Sequence, residues 1–179
     1  MSWLKNLSLT HFSKPKSDRP IYRWILQHQP HSIMEVGLDD GSRAEKMLQV
    51  LSAQLPADAV LKYTGVDPFD SRPPGQPTLL LKSTHQMLSR HGVKARLIPG
   101  EPSFALPRYC NSVGGHDLVV ISGAASADEM QSVWTVLPRV LNDQSALLWQ
   151  PQGPNSDFVV YSRDHVVELG EANRSKRAA

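Results

Sequence analysis

The stretch from Ser32 to Asp70 constrains the fold more than any other, because it reads in order as strand, acidic glycine turn, helix, strand and second acidic turn. Ser32 to Val36 predicts a strand, and Arg43 to Leu55 a helix with Ala44, Met47, Leu48 and Leu51 at i, i+3, i+4 spacing. Ala59 to Val66 predicts a second strand ending at Asp67. A strand that enters a glycine turn and opens a helix is one half of a nucleotide-binding α/β unit. In dinucleotide enzymes that turn is G-x-G-x-x-G, and its amides and helix N-terminus face a pyrophosphate. Here the glycines stand as G-x-x-x-G, with Asp39 and Asp40 at the tip where phosphate would lie. Carboxylates there repel phosphate. An NAD-dependent oxidoreductase is disfavoured by these acids and by the missing third glycine.

The remaining chain continues the alternation. Asp18 followed by Pro20 predicts a helix start with the acid as N-cap, and Ile21, Trp24 and Ile25 share one face before Pro30. Pro68 to Pro77 holds four prolines and one glycine, a stiff loop. Thr78 to His91 reads as a helix stopped by Gly92, and Val93 to Ile98 as a third strand. The turn at Gly100-Glu101-Pro102 opens a short helix. His116 to Ser122 is an apolar run suited to a strand buried on both faces, Ala127 to Leu141 a helix, and Ser145 to Trp149 a fifth strand. Asp157 to Tyr161 and His165 to Leu169 alternate around Arg163-Asp164 as a β-hairpin would. The implied class is α/β: a doubly wound, mostly parallel sheet with right-handed crossovers and a C-terminal β-hairpin. Ligands of such sheets bind beyond the carboxyl ends of the strands, where Glu35 to Gly41, Asp67 to Phe69, Glu101 and Ser122 all fall.

With 179 residues and 40% hydrophobic content, the chain suits one well-buried domain, expected over residues 18–170. Residues 1–17 read as a flexible arm and 171–179 as a basic disordered tail. Much of the basic excess sits in these ends, which read as solvated tails in preference to a nucleic-acid contact. The lone Cys110 excludes an internal disulfide framework and fits a reducing compartment. No run reaches the length of about 20 apolar residues needed to span a bilayer. A soluble, cytoplasmic protein is expected, with no membrane or nucleic-acid partner.

Glu35-Val36-Gly37 with Gly41, followed about 30 residues later by Gly65-Val66-Asp67, resembles the class I S-adenosylmethionine-dependent methyltransferases. The family's pattern is acidic-x-G-x-G-x-G, and Asp39 stands at its middle glycine. The resemblance covers about residues 31–150 and implies a Rossmann-like fold with S-adenosylmethionine as cofactor. It also implies that the turn of Glu35, Gly37, Asp39 and Gly41 cradles the methionine part and that Asp67 binds the ribose hydroxyls. Pro68 and Phe69 would follow beside it, Glu101 would meet the adenine amino group, and Ser122 would close the site at the fourth strand. Small O-methyltransferases of this family carry metal-binding acids after the fourth and fifth strands. This chain has Ser122, Gln150 and Gln152 there, so no metal is expected. No catalytic residue is marked by spacing. The expected function is metal-independent methyl transfer to a small molecule, with a non-catalytic binding protein on the same fold as the alternative.

Overall fold

The structure, a computed structural model, describes residues 13–56, 58–122, 133–151 and 156–178. Its strands are β1 (Ser32–Val36), β2 (Lys62–Asp67), β3 (Lys94–Pro99), β4 (His116–Ile121), β5 (Leu141–Trp149) and β6 (Val159–Ser162). They form one sheet in the order β3-β2-β1-β4-β5-β6. The first five are parallel and β6 runs antiparallel to β5. Every residue of β1 is buried, as a central strand covered on both faces requires. Its alternation sorts the core. Ile33 joins Ile21, Tyr22, Ile25, Met47 and Leu48 on one face. Met34 and Val36 join Ile98, Leu106, Leu137 and Val166 on the other.

The helices are α1 (Arg19–His28), α2 (Ser42–Ser52), α3 (Leu81–Arg90), α4 (Pro102–Val113) and α5 (Arg163–Ala178). Asp18 precedes α1 but makes no capping bond; its carboxylate turns inward. Gly41 adopts φ +82° ahead of α2, and a Cβ there would lie 3.3 Å from Leu79 Cδ1, so the turn needs glycine for conformation and space. The helix expected from Thr78 starts at Leu81, whose N–H donates to Asp70 Oδ2 at 3.0 Å. Of the helix expected over Ala127 to Leu141, residues 127–132 lie outside the described residues. Its end is a 3-10 turn, Leu137–Val140, with Pro138 in its first turn, and Leu141 already belongs to β5.

The C-terminal antiparallel hairpin is formed by β5 and β6. Its expected second arm, His165 to Leu169, is instead helical, and residues 171–178, read as a tail, continue α5. The burial pattern explains this: Val166 and Gly170 are buried while Glu168 between them is exposed, which a helix allows and a strand, with all three on one face, does not. A Cβ at Gly170 would come within 2.9 Å of Trp134 O. Of the expected N-terminal arm, Ser13 and Ser17 are buried, and Arg19 Nε donates to Ser13 O at 3.2 Å.

Candidate functional site

Chain order reverses between β1 and β4, which is where an open α/β sheet leaves a crevice. A cavity of about 300 Å³ lies there, within the range of small-molecule sites. Gly37, Asp67, Ser122 and Gln150 reach it from the ends of β1, β2, β4 and β5, and Glu101 from the turn after β3. Pro15 and Asp18 wall it from the N-terminal side, and Arg72, Gln76 and Pro77 from the proline-rich loop. Five carboxylates line it against two guanidiniums.

Asp67 is the most heavily engaged of these carboxylates. Oδ2 accepts Leu38 N–H at 2.9 Å and Arg72 Nη2 at 2.6 Å. Oδ1 accepts Phe69 N–H at 2.8 Å and Arg72 Nε at 2.8 Å. Arg72 Nη1 donates onward to Pro77 O at 2.6 Å. Ser122 Oγ donates to Gly37 O at 2.9 Å, joining the ends of β4 and β1 beneath the cavity.

The other guanidinium, Arg43, is buried at the start of α2. Its Nε lies 3.5 Å from Glu35 Oε1 and 3.8 Å from Asp18 Oδ1, both beyond hydrogen-bond reach. Arg43 Nε and Nη1 and Glu35 Oε1 are buried without a hydrogen-bond partner among the described residues. Tyr63 Oη donates to the other Glu35 oxygen at 2.5 Å. Burial pushes the Glu35 carboxyl up to about 7 against the opposing pull of Arg43 and Tyr63. Burial likewise raises Asp18, opposed by Arg43.

Of the residues expected at a cofactor site, Gly37, Asp39, Asp67, Pro68, Glu101 and Ser122 line this cavity together. Glu35 lies beneath it, fully enclosed. Gly41 shapes the turn without lining the cavity, and Phe69, at φ 51°, packs with Leu38 and Leu79. Among the described residues no cluster of three or more His, Cys, Asp and Glu is placed to hold a metal ion.

Comparison with solved structures places this arrangement among known folds. CalS11, a TDP-rhamnose 3′-O-methyltransferase of calicheamicin biosynthesis, superposes with TM-score 0.59 at 17% identity over 85% of this chain and 79% of that one. The O-methyltransferase TomG from Streptomyces achromogenes, solved in complex with SAM, gives TM-score 0.55 at 15% identity over 94% and 70%. The chain has the class I methyltransferase fold. It spans only 53% of an O-methyltransferase family protein from Burkholderia thailandensis, which it matches over 95% of its own length at 11% identity and TM-score 0.53. No family model and no curated protein matches the sequence.

On this methyltransferase fold, sequence reasoning missed Asp18, Arg43, Arg72 and Gln76 as cavity residues. Arg43 was detectable: it sits four residues before Met47, on the stripe of α2 that must face inward. Arg72 and Gln76 carried no such signal, because a loop has no period.

Proposed function

We propose that this chain binds S-adenosylmethionine and is a metal-independent methyltransferase acting on a small molecule. The observation that carries the reading is the charge of the switch-point cavity: five carboxylates line it, and both guanidiniums already face carboxylates. Such a wall favours a ligand bearing a sulfonium and an ammonium group and opposes a pyrophosphate. When bound, S-adenosylmethionine supplies an electrophilic methyl group. Gly37 and Asp39 would hold its amino-acid part, Asp67 and Pro68 the ribose, Glu101 the adenine edge, and Ser122 the cavity floor. Methyl transfer needs chiefly an acceptor aligned with the donor, and the cavity walls would supply that alignment. Where the acceptor must lose a proton, the exposed carboxylates of Asp39, Asp40 and Glu101 are the lining groups able to receive it. A TDP-sugar methyltransferase among the structural neighbours supports a small-molecule acceptor.

A non-catalytic adenosyl-binding protein is the second reading. Ser122 and Gln150, neutral groups at the ends of β4 and β5, favour it. Thermal melting with S-adenosylmethionine, S-adenosylhomocysteine and NADH tests the shared part of both. At about 100 times its dissociation constant a ligand adds roughly 2.7 kcal/mol, so the first two are expected to raise the melting temperature and NADH to leave it unmoved. A rise with NADH alone would reverse the reading.

A further inference from the structure

A carboxylate offers about four lone-pair sites, and Asp67 has all of them in use. Two go to the backbone N–H groups of Leu38 and Phe69, which the turns after β1 and β2 hold in place. The other two go to the fork of Arg72, in the bidentate geometry that guanidinium and carboxylate favour. A ribose diol that reached Asp67 would find no acceptor. Of the four donors, only Arg72 can leave without unmaking the end of a strand.

Arg72 is also the polar tie of its own loop. Residues 73–78 are exposed, and a Cβ built at Gly75 meets open space. The segment is pinned at its two ends, where Phe69 and Leu79 pack with Leu38. Between those ends, among the described residues, its bonds to the sheet are the two from Arg72 to Asp67, and Arg72 Nη1 gathers the loop by donating to Pro77 O. A lightly packed loop held by one side chain is a low-stability element that can open locally.

We propose that Arg72 is a latch on the ribose seat: its guanidinium competes with a nucleoside's hydroxyls for Asp67, and the 72–78 loop swings away with it when the ligand enters. This deepens the adenosyl reading above and rests on it. The latch lowers apparent affinity by the fraction of molecules in which it is open. Arg72 is thus a gating residue with no part in the methyl transfer itself.

Calorimetry and stopped-flow binding of S-adenosylhomocysteine to the full chain test this, comparing wild type with Arg72→Ala. The variant is expected to bind at least about tenfold more tightly, although its unliganded melting temperature falls. The wild-type association rate is expected to level off with ligand concentration, as an opening step requires, and the variant's to rise linearly. If Arg72→Ala fails to fold by circular dichroism, Arg72→Gln takes its place, expected to give a smaller gain. Binding to both proteins with equal or weaker affinity for the variant overturns the latch and leaves the cofactor reading standing. Binding to neither overturns both. Binding to the variant alone supports the latch in its strongest form.

Discussion

Two arginines line one cavity, and they are solved in opposite ways. Arg72 meets Asp67 through two short bonds, and the backbone satisfies what remains of that carboxylate. Arg43 is shared at 3.5 and 3.8 Å between Glu35 and Asp18, with nitrogens and an oxygen left unbonded. Burial does not separate them, since both are largely enclosed. Geometry does. The Arg72 pair is built on one turn, where a five-residue separation and an exposed loop let the guanidinium meet the carboxylate squarely. The Arg43 cluster joins α2, β1 and the turn before α1, whose spacing is set by apolar packing. Charges held by other forces keep their desolvation cost, and Glu35 answers it by titrating at about 7.

The largest expected effect tests whether the loose cluster holds anything together. Arg43→Ala deprives two buried carboxylates of the cation they share, and at pH 8 it should lower stability to urea by about 3–5 kcal/mol. The triple variant Arg43→Met, Glu35→Gln, Asp18→Asn should lie much nearer wild type, because both uncompensated carboxylates are neutralised along with their cation. A single-variant loss under about 1 kcal/mol would mean that the cluster is solvated and the contrast with Arg72 overstated.

On the tight side, Asp67→Ala should fold and should weaken adenosyl-ligand binding by about 1.5–3 kcal/mol, the range for hydrogen bonds to a charged group. Equal affinity by calorimetry would show that the ribose contact is misassigned. Asp67→Ala and Arg72→Ala should therefore move affinity in opposite directions.

A smaller effect reads the loose cluster by pH, with His116, which lies outside both pairs, as the control. Glu35 binds its proton more firmly folded than unfolded, so its contribution is fully present below about pH 4.5 and is lost as pH rises through 7. His116 behaves in the reverse sense. Burial lowers its pKa, opposed by its bond to Val140 O. Its contribution is present above about pH 6.5 and is lost as pH falls through the depressed value. Urea midpoints across pH 4.5–8 should thus lose their decline towards high pH in Glu35→Gln and keep it in His116→Gln. Identical profiles in wild type and Glu35→Gln would place the titration elsewhere.

The smallest expected effect is none. Ser122 and Gln150 offer neutral oxygens where a divalent ion usually recruits carboxylates. Methyl transfer to an identified acceptor should persist in excess EDTA. Activity that vanished on chelation and returned with magnesium would make Asp128, which lies outside the described residues, or Asp157, exposed after β5, the first ligand to examine.

Much of the fold was legible because its signals are local and periodic. Ser32–Val36 stands as a strand between the residues read from the sequence, and β4 ends one residue earlier than its apolar run. Six of the nine expected site residues meet in one cavity because a parallel sheet delivers strand ends to one edge. His165 to Leu169 misled because five residues are too few to separate a period of 2 from one of 3.6, and packing beyond the run, at Gly170 against Trp134 and Pro138, accompanies the helix.

The sequence by itself determined the order of strands, the acidic glycine turn, and a crevice rimmed by Gly37, Asp67, Glu101 and Ser122, but not the C-terminal helix. These follow from periodicity, turn chemistry and the handedness of crossovers, which are properties of neighbouring residues. Tertiary structure alone decided that Glu35 lies under the floor, bonded to Tyr63 and facing Arg43, and that Asp67 is held by Arg72. Those pairings join residues whose distances depend on how helices settle on a twisted sheet and on which way a proline-rich loop folds back. No local rule encodes either, because each charge could have met water instead.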